Sequence, residues 1–339
     1  MILKDAKKLD ISYIPQKILC RENEIKALRL YMKSGRAIIS GGIGTGKTLL
    51  AKHFGGSEHI DAYINCYINR TEHRILEEII HQIKPNFHTA GLTTLALWKE
   101  IEDGRTIILD EIDGMLPDEL RHFSYTLSRL KESGKEIRYI AITRSANILR
   151  QVIGDDAIWS TFADKAIVSL NYYTWDEIKK IVDYRAGEAI RRDAYNDDIL
   201  SLIADITLKS PGHMRTAMDI LRNASMIAEN NGNDEILPEH VREANQEGWL
   251  SGIDNLKKNE RIVLLSIANA CKNRAYAEKK EIEEQIKIKS EEYGIKIYNL
   301  DKIIETLMRE DFIYKGNNGY TILNYPCNEI IKRMENFNE

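Results

Sequence analysis

A chain of 339 residues is longer than one hydrophobic core usually serves, so two or three domains are expected. Its apolar share of 43% is that of an ordinary globular protein, and six prolines leave little room for disordered linkers. The formal charge of −4 argues against a protein that coats nucleic acid through bulk positive charge. No run approaches the ~18 apolar residues that cross a bilayer, and the opening residues do not read as a signal peptide. Cys20, Cys66, Cys271 and Cys327 lie far apart without metal or redox spacing, which suits unpaired thiols in a reducing cytoplasm.

In the first half, short β-rich runs alternate with helical stretches, the pattern of a parallel sheet covered on both faces. Strands are expected at Arg36–Ser40, Ala62–Cys66, Thr106–Asp110, Arg138–Thr143 and Ala166–Leu170, with helices such as Thr71–Ile83 and Glu119–Lys131 between them. From Thr174 the signal is helical. Thr174 and Glu177 form a possible capping box, Ser210-Pro211 reads as the start of another helix, and Pro238 as the start of a third. Beyond Gly252, helices near Glu260–Ala270, Lys280–Tyr293 and Leu300–Arg309 precede strands at Phe312–Tyr314 and Tyr320–Leu323, joined by a Gly/Asn turn. Three helices followed by a hairpin is winged-helix order.

Two motifs carry chemistry. Gly41-Gly42-Ile43-Gly44-Thr45-Gly46-Lys47-Thr48 matches G-x-x-x-x-G-K-[ST], between an expected strand and a helical run opening at Leu49. Glycines let successive amides converge on phosphate oxygens, and the helix N-terminus adds favourable dipole. Lys47 is suited to the outer phosphates and Thr48 to Mg²⁺, which makes ATP or ADP the expected ligand. The second motif, Ile107-Ile108-Leu109-Asp110-Glu111, ends an apolar strand in two carboxylates. Asp110 is the candidate Mg²⁺ partner and Glu111 the candidate base toward water.

Across nearly its whole length the chain resembles the archaeal replication initiators related to the origin recognition complex and to cell division control protein six, which are AAA+ ATPases. Leu9–Pro15 with Arg21–Ile25 is similar to the family's opening segment, and the resemblance places Ile14 beside the adenine. Tyr63–Thr71 is similar to its second-strand signature, and Gly212–Ala217 to its sensor-2 motif, which makes Arg215 the implied γ-phosphate sensor. Leu237–Ala244 looks like the last lid helix. The implied architecture is an AAA+ P-loop α/β core over residues 1–170, a helical lid over 171–251 and a C-terminal winged helix over 252–339.

There are departures. Where the family ends its fourth strand in Ser-Asn, this chain has Thr143-Arg144-Ser145, and Asp155–Ser160 lacks the basic residue that can serve as an arginine finger. Firm nucleotide binding with slow or absent hydrolysis is therefore expected, with Arg144 and Arg150 as the nearby basic candidates.

From Asp254 onward about fifteen basic side chains meet about fifteen acidic ones, so any DNA contact must be a local patch. The third winged-helix segment offers Asn299 and Lys302, and the wing Lys315, Asn317 and Asn318. Arg121, with His122, Arg129 and Lys131, lies on the helix where the resemblance implies a second DNA contact, and the same charges equally suit a plain solvent face. The expected task is recognition of origin-type double-stranded DNA in the cytoplasm, at the nucleoid and away from membranes, with a replicative helicase or other initiator copies as partners. A mobile-element ATPase that regulates transposition or plasmid maintenance through protein contacts is the alternative, and an initiator paralogue acting as a regulator is a third reading.

Overall fold

The computed structural model describes residues 1–163, 165–246 and 252–335, so the expected lid boundary at residue 251 and the last four residues of the chain lie outside the described residues. The chain forms two compact units, Ile14–Tyr173 and Met1–Tyr13 with Thr174–Glu339. The first thirteen residues, placed by the sequence with the nucleotide-binding core, belong to the second unit. There Leu3 bridges Ile190, and the Lys4 amide donates to the Ala189 carbonyl at 2.8 Å.

The first unit runs α1 (Glu22–Met32), β1 (Arg36–Gly41), α2 (Lys47–Ser57), β2 (Ala62–Asn65), α3 (Glu72–Ile83), α4 (Thr94–Glu100), β3 (Thr106–Asp110), α5 (Pro117–Glu132), β4 (Arg138–Thr143), α6 (Ala146–Ile153), α7 (Asp156–Phe162) and β5 (Ile167–Leu170). The strands form one parallel sheet in the order β2-β3-β4-β1-β5. Successive side chains alternate between its faces. Ile107, Leu109, Tyr139 and Ala141 join the core cluster that includes Ile75, Leu97 and Phe123. Ile108, Ile140 and Ile142 face the opposite cluster, with Leu28, Leu50 and Phe54 from α1 and α2. Burial on both faces explains why these strands read as unbroken apolar runs.

This order puts β4 between β1 and β3. In an open parallel sheet, ligands bind beyond the carboxyl ends of the strands, where the strand order reverses. The P-loop leaves β1 and the two carboxylates leave β3 at that edge.

The second unit contains α8 (Trp175–Ala189), α9 (Asp197–Lys209), α10 (Met214–Asn230), α11 (Pro238–Ala244), α12 (Lys258–Cys271), α13 (Lys279–Glu292), α14 (Leu300–Arg309), β6 (Tyr314–Gly316), β7 (Gly319–Thr321) and α15 (Cys327–Glu335). The Thr174–Glu177 capping box is formed: the Glu177 amide donates to the Thr174 hydroxyl at 3.4 Å, and the Thr174 amide to the Glu177 carboxylate at 2.9 Å. Two expectations are corrected. Ser210 ends α9 instead of opening α10, because its hydroxyl is held by Thr216 and the Gly212 amide, and His213 at φ 46° breaks the helical path. The hairpin strands also lie closer to the turn than Phe312–Tyr314 and Tyr320–Leu323. The Phe312 and Ile313 amides instead donate to the Leu307 carbonyl and close α14.

Beyond residue 252, Val263, Leu264, Ile282, Ile304, Leu307, Ile322 and Ile330 share one core. Arg242 of α11 is fully buried against this segment. Its guanidinium donates to the carbonyls of Ile322, Cys271, Arg274 and Ala275 at 2.9–3.1 Å and lies 3.4 Å from Glu239. Asp205 of α9 is a second buried tie, accepting from Trp175 Nε1 at 2.8 Å and from the Tyr276 hydroxyl at 2.5 Å. Burial raises its pKa, and the two donors oppose that rise.

Removing Arg242 orphans several buried carbonyls at once and takes away the ion pair of Glu239, which among the described residues keeps only the Asn328 amide at 2.8 Å. Arg242→Ala is expected to cost about 3 kcal/mol in urea unfolding, against about 0.5 kcal/mol or less for the exposed Arg309→Ala.

Candidate nucleotide site

The loop from Gly41 to Gly46 departs from β1 and enters α2 through Gly46, whose φ of 88° suits glycine; Gly44 stands at φ 74°. A Cβ on Gly41 would meet the Leu170 carbonyl at 2.7 Å and the Thr45 hydroxyl at 2.8 Å. Thr45 is buried, and its hydroxyl donates to the Gly42 carbonyl at 3.0 Å, fixing the curve of the loop from inside. Ile43 is half exposed at the rim. Leu50 and Ala51, one turn into α2, anchor the helix in the core next to Leu49. The result is a backbone cradle with its amides at a helix N-terminus, suited to phosphate.

Lys47 Nζ donates to the carbonyls of Gly41 and Gly42 at 2.8 and 2.7 Å, which holds the ammonium against the cradle. The Thr48 hydroxyl donates to Asp110 Oδ2 at 2.9 Å, which brings together the two residues that the sequence puts forward for Mg²⁺. Asp110 is buried and also accepts from the Tyr63 hydroxyl at 2.5 Å and the Glu111 amide at 2.9 Å. Burial together with that bond to Asp110 pushes the Tyr63 phenol well above its ordinary pKa. Among the described residues no group of three or more His, Cys, Asp and Glu side chains is placed to hold a metal ion.

Glu111 stands at φ 54°, a left-handed conformation that turns the chain sharply after β3. Asn65, at the end of β2, donates to Glu111 Oε2 at 3.2 Å. Its carbonyl oxygen accepts the Tyr67 and Ile68 amides at 2.9 and 3.1 Å, so Asn65 is itself rigidly held. The sequence reading did not single out Asn65. Its signal was a polar residue ending an otherwise apolar strand.

Arg21 was also read only as part of the opening segment. It is 4% exposed, with its guanidinium 3.9 Å from the centre of the Tyr173 ring. It donates to the Asn171 carbonyl at 2.6 Å, to the Thr45 carbonyl at 3.3 Å and to the Tyr173 hydroxyl at 3.1 Å, and pairs with Glu24 at 3.1 Å. One buried cation therefore ties the P-loop to the end of β5. Tyr172 lies over Gly42, Tyr173 lies under Arg21, and Trp175 serves the second unit through Asp205, so these three aromatics do three different jobs. Ile14, implied at the adenine, is partly exposed.

Thr143, at the end of β4, is buried, and its hydroxyl is engaged with Ser145. Arg144 is exposed, and its Nε stands 3.9 Å from Asp113. Arg150 pairs with Asp156 at 2.7 Å. In the other unit, Arg215 is exposed on the first turn of α10.

The residues read as DNA contacts fall into two groups. Asn299, Lys302, Lys315, Asn317 and Asn318 are all exposed, Asn299 as the N-cap of α14 and the two later asparagines at the tip of the β6–β7 hairpin. The outer face of α14 is mixed, since Asp301 and Glu305 are exposed beside Lys302 and Arg309. Arg121 is occupied within its own unit, donating to the Val152 carbonyl at 2.8 Å and pairing with Asp118 at 2.7 Å. His122 is likewise bonded to the buried Glu72.

A parallel sheet in this order, with a P-loop leaving β1 and paired carboxylates leaving β3, defines an AAA+-type nucleotide-binding protein. Residues 179–246 match the family described as the Cdc6 AAA+ ATPase-type lid domain. The chain is 28% identical over 293 residues to ORC1-type DNA replication protein 1 of Sulfurisphaera tokodaii, covering 78% of this chain and 73% of the relative. It is 29% identical over 279 residues to ORC1-type DNA replication protein 2 of Saccharolobus solfataricus, covering 72% and 67%. In fold it is similar to the Cdc6p crystal structure from Pyrobaculum aerophilum, with a TM-score of 0.86, 24% identity and both chains covered completely. The Aeropyrum pernix ORC1 protein in complex with DNA is a more distant fold neighbour at TM-score 0.62 and 21% identity, covering 98% of this chain and 96% of that one. Over most of its length the chain is thus similar to archaeal ORC1-type replication proteins, and its AAA+ fold is that of the Cdc6/ORC structures. Among the described residues no helix is long and apolar enough to cross a membrane.

The cradle makes an asymmetric prediction about its first two glycines. A Cβ at Gly41 collides with a backbone oxygen at 2.7 Å, whereas one at Gly42 meets the hydroxyl end of the Tyr172 side chain, whose two side-chain torsions give it more room to yield than a backbone oxygen has. Gly41→Ala should therefore destabilise the protein by about 1–3 kcal/mol in chemical denaturation, and Gly42→Ala by under about 1 kcal/mol.

Proposed function

We propose that this protein acts in replication initiation as an ATP- and ADP-binding AAA+ protein that engages duplex DNA at origins and turns nucleotide over slowly. The observation that carries the nucleotide half is the constellation of Lys47 on the loop carbonyls, Thr48 on Asp110, and a glycine cradle at a helix N-terminus. The residues fit the group: Gly42 to Leu49 would hold the phosphates through backbone amides, and Thr48 and Asp110 would hold Mg²⁺. Glu111 is the base toward water, and its hold by Asn65 supports slow turnover. The bound group supplies phosphoryl charge and, on hydrolysis, the free energy of a phosphoanhydride. Arg215 is assigned a cationic role toward the outer phosphate on the strength of the sensor-2 resemblance, and Ile14 an apolar contact with the base.

The DNA half rests on family and on order of elements. An Aeropyrum relative has been solved with DNA, and another, named ORC2, as complexes with ADPNP and ADP. In this chain the order α12, α13, α14, hairpin supports a winged helix over 252–339, with a lid ahead of it. Asn299 and Lys302 on α14 and Lys315, Asn317 and Asn318 on the hairpin are the exposed contacts. Arg121, by resemblance a second contact, is bonded to Val152 and Asp118 and would exchange Asp118 for a phosphate. Recruitment of a replicative helicase and assembly with other initiator copies, at the nucleoid, complete the proposed role.

Lys47→Ala is expected to lower ADP and ATP affinity by at least about tenfold in equilibrium titration, because the outer phosphates lose a cation. Unchanged affinity would remove the P-loop assignment. For DNA, fluorescence anisotropy with origin and scrambled duplexes should give tighter origin binding and a salt slope of about −0.9 for each phosphate neutralised. Lys302→Ala and Lys315→Ala should each reduce that slope by about one. Equal binding to both duplexes in every nucleotide state would contradict origin recognition.

A further inference from the structure

We propose that the Tyr63 hydroxyl competes with the cation for Asp110, which makes Tyr63 the positioning residue that sets how strongly nucleotide binding depends on Mg²⁺. This rests on the P-loop reading above and adds to it a residue that lies outside both motifs.

Position comes from the edge of the sheet. β2 is the edge strand beside β3, and an edge residue has main-chain polar groups that no further strand takes up. At Tyr63 the Gln82 side chain of α3 takes both. Its Oε1 accepts the Tyr63 amide at 2.9 Å, and its Nε2 donates to the Tyr63 carbonyl at 3.0 Å. Glu78 holds Gln82 Nε2 in turn at 2.7 Å. The half-buried phenol ring packs against Lys52 of α2, whose Nζ lies 4.3 Å from the ring centre. With backbone and ring both fixed, the hydroxyl is delivered to Asp110 Oδ2 at 2.5 Å.

The competition follows from the acceptor capacity of Asp110. A carboxylate has about four lone-pair positions, two on each oxygen. On Asp110 the Thr48 and Tyr63 hydroxyls both donate to Oδ2, and the Glu111 amide donates to Oδ1 at 2.9 Å. Mg²⁺ keeps several of its waters and is held by one or two carboxylates together with phosphate. Asp110 serves such a cation directly or through one of those waters, and either way it must offer a lone pair. Thr48 does not stand in the way, because a hydroxyl that donates to Asp110 keeps lone pairs of its own for the cation. Tyr63 comes from the far strand, and its short, charge-assisted bond is the strong one to displace. Cation binding at Asp110 is therefore set against the loss of that bond, whereas Lys47 and the loop amides act on phosphate without it. Nucleotide binding is thus less dependent on Mg²⁺ than the Thr48–Asp110 pair alone would make it.

The test uses the full chain stripped of nucleotide and titrated with ADP, once in saturating Mg²⁺ and once in EDTA. The ratio of the two affinities is the readout, and the binding of Mg²⁺ to free ADP cancels between variants. Tyr63→Phe keeps the ring and removes the donor. It should raise the ratio about fivefold by tightening the Mg²⁺ form, with the affinity in EDTA changed by less than about twofold. Gln82→Met removes the clamp on the Tyr63 main chain from an exposed position, and should raise the ratio about twofold. If Tyr63→Phe does not fold, Gln82→Met decides by the same ratio. An unchanged ratio would overturn the inference, because a phenol that merely fills space costs stability and leaves the Mg²⁺ dependence alone. A lowered ratio would overturn it too, since Tyr63 would then be helping to hold the cation. Wild-type protein that binds ADP in neither condition would remove the P-loop reading and this inference with it, a result told apart because it appears before any substitution is made.

Discussion

Asp110 is the point on which the first unit's site depends. It is a carboxylate 3% exposed to solvent, and a buried charge is tolerated only where donors surround it. Three are supplied, each from a different stretch of chain: the Thr48 hydroxyl from the start of α2, the Tyr63 hydroxyl from β2 and its neighbour's amide from the turn after β3. Satisfying Asp110 therefore brings together the P-loop helix, β2 and the end of β3. The same bonds set the Thr48 and Asp110 oxygens side by side, the pair that on the proposed reading would hold Mg²⁺.

Each unit is also organised by a buried arginine, with different consequences. Arg21 stacks on Tyr173 and donates to the carbonyls of Thr45 and Asn171, so the curve of the P-loop is coupled to the end of β5. Arg242 has no solvent exposure and spends its donors on carbonyls from α12, the segment after it, and the strand β7 region. With Asp205 bonded to Trp175 and Tyr276, α8, α9 and α11 are stitched to the helices and hairpin that follow. Within this unit, the segment matching the Cdc6 lid and the C-terminal hairpin segment are thereby one compact body.

What the sequence disclosed, and what it did not, follows from the range of the interactions. β3 and β4 were legible to the residue because double-sided burial writes a continuous apolar run. The Thr174–Glu177 box was legible because its partners are three residues apart. The glycine loop was legible because its conformational demands are local. Arg21 was not, since its partner Tyr173 lies 152 residues away, and Asn65 was not, since Glu111 lies 46 residues on. Ser210 misled because the hydroxyl suited to an N-cap is spent on Thr216, and the hairpin shifted because Phe312 and Ile313 serve the end of α14. The resemblance implies a DNA contact for Arg121, and its bond to Val152 across 31 residues has no local signature.

The account stands on phosphate being held by the backbone of one loop. Amide hydrogen exchange of the whole chain, with and without Mg²⁺ and ATP, tests that most directly. Protection concentrated in the amides from Gly42 to Leu49, with weaker effects at Asn65 and Glu111, is the predicted result. Exchange in this loop that is unchanged by saturating nucleotide would contradict it.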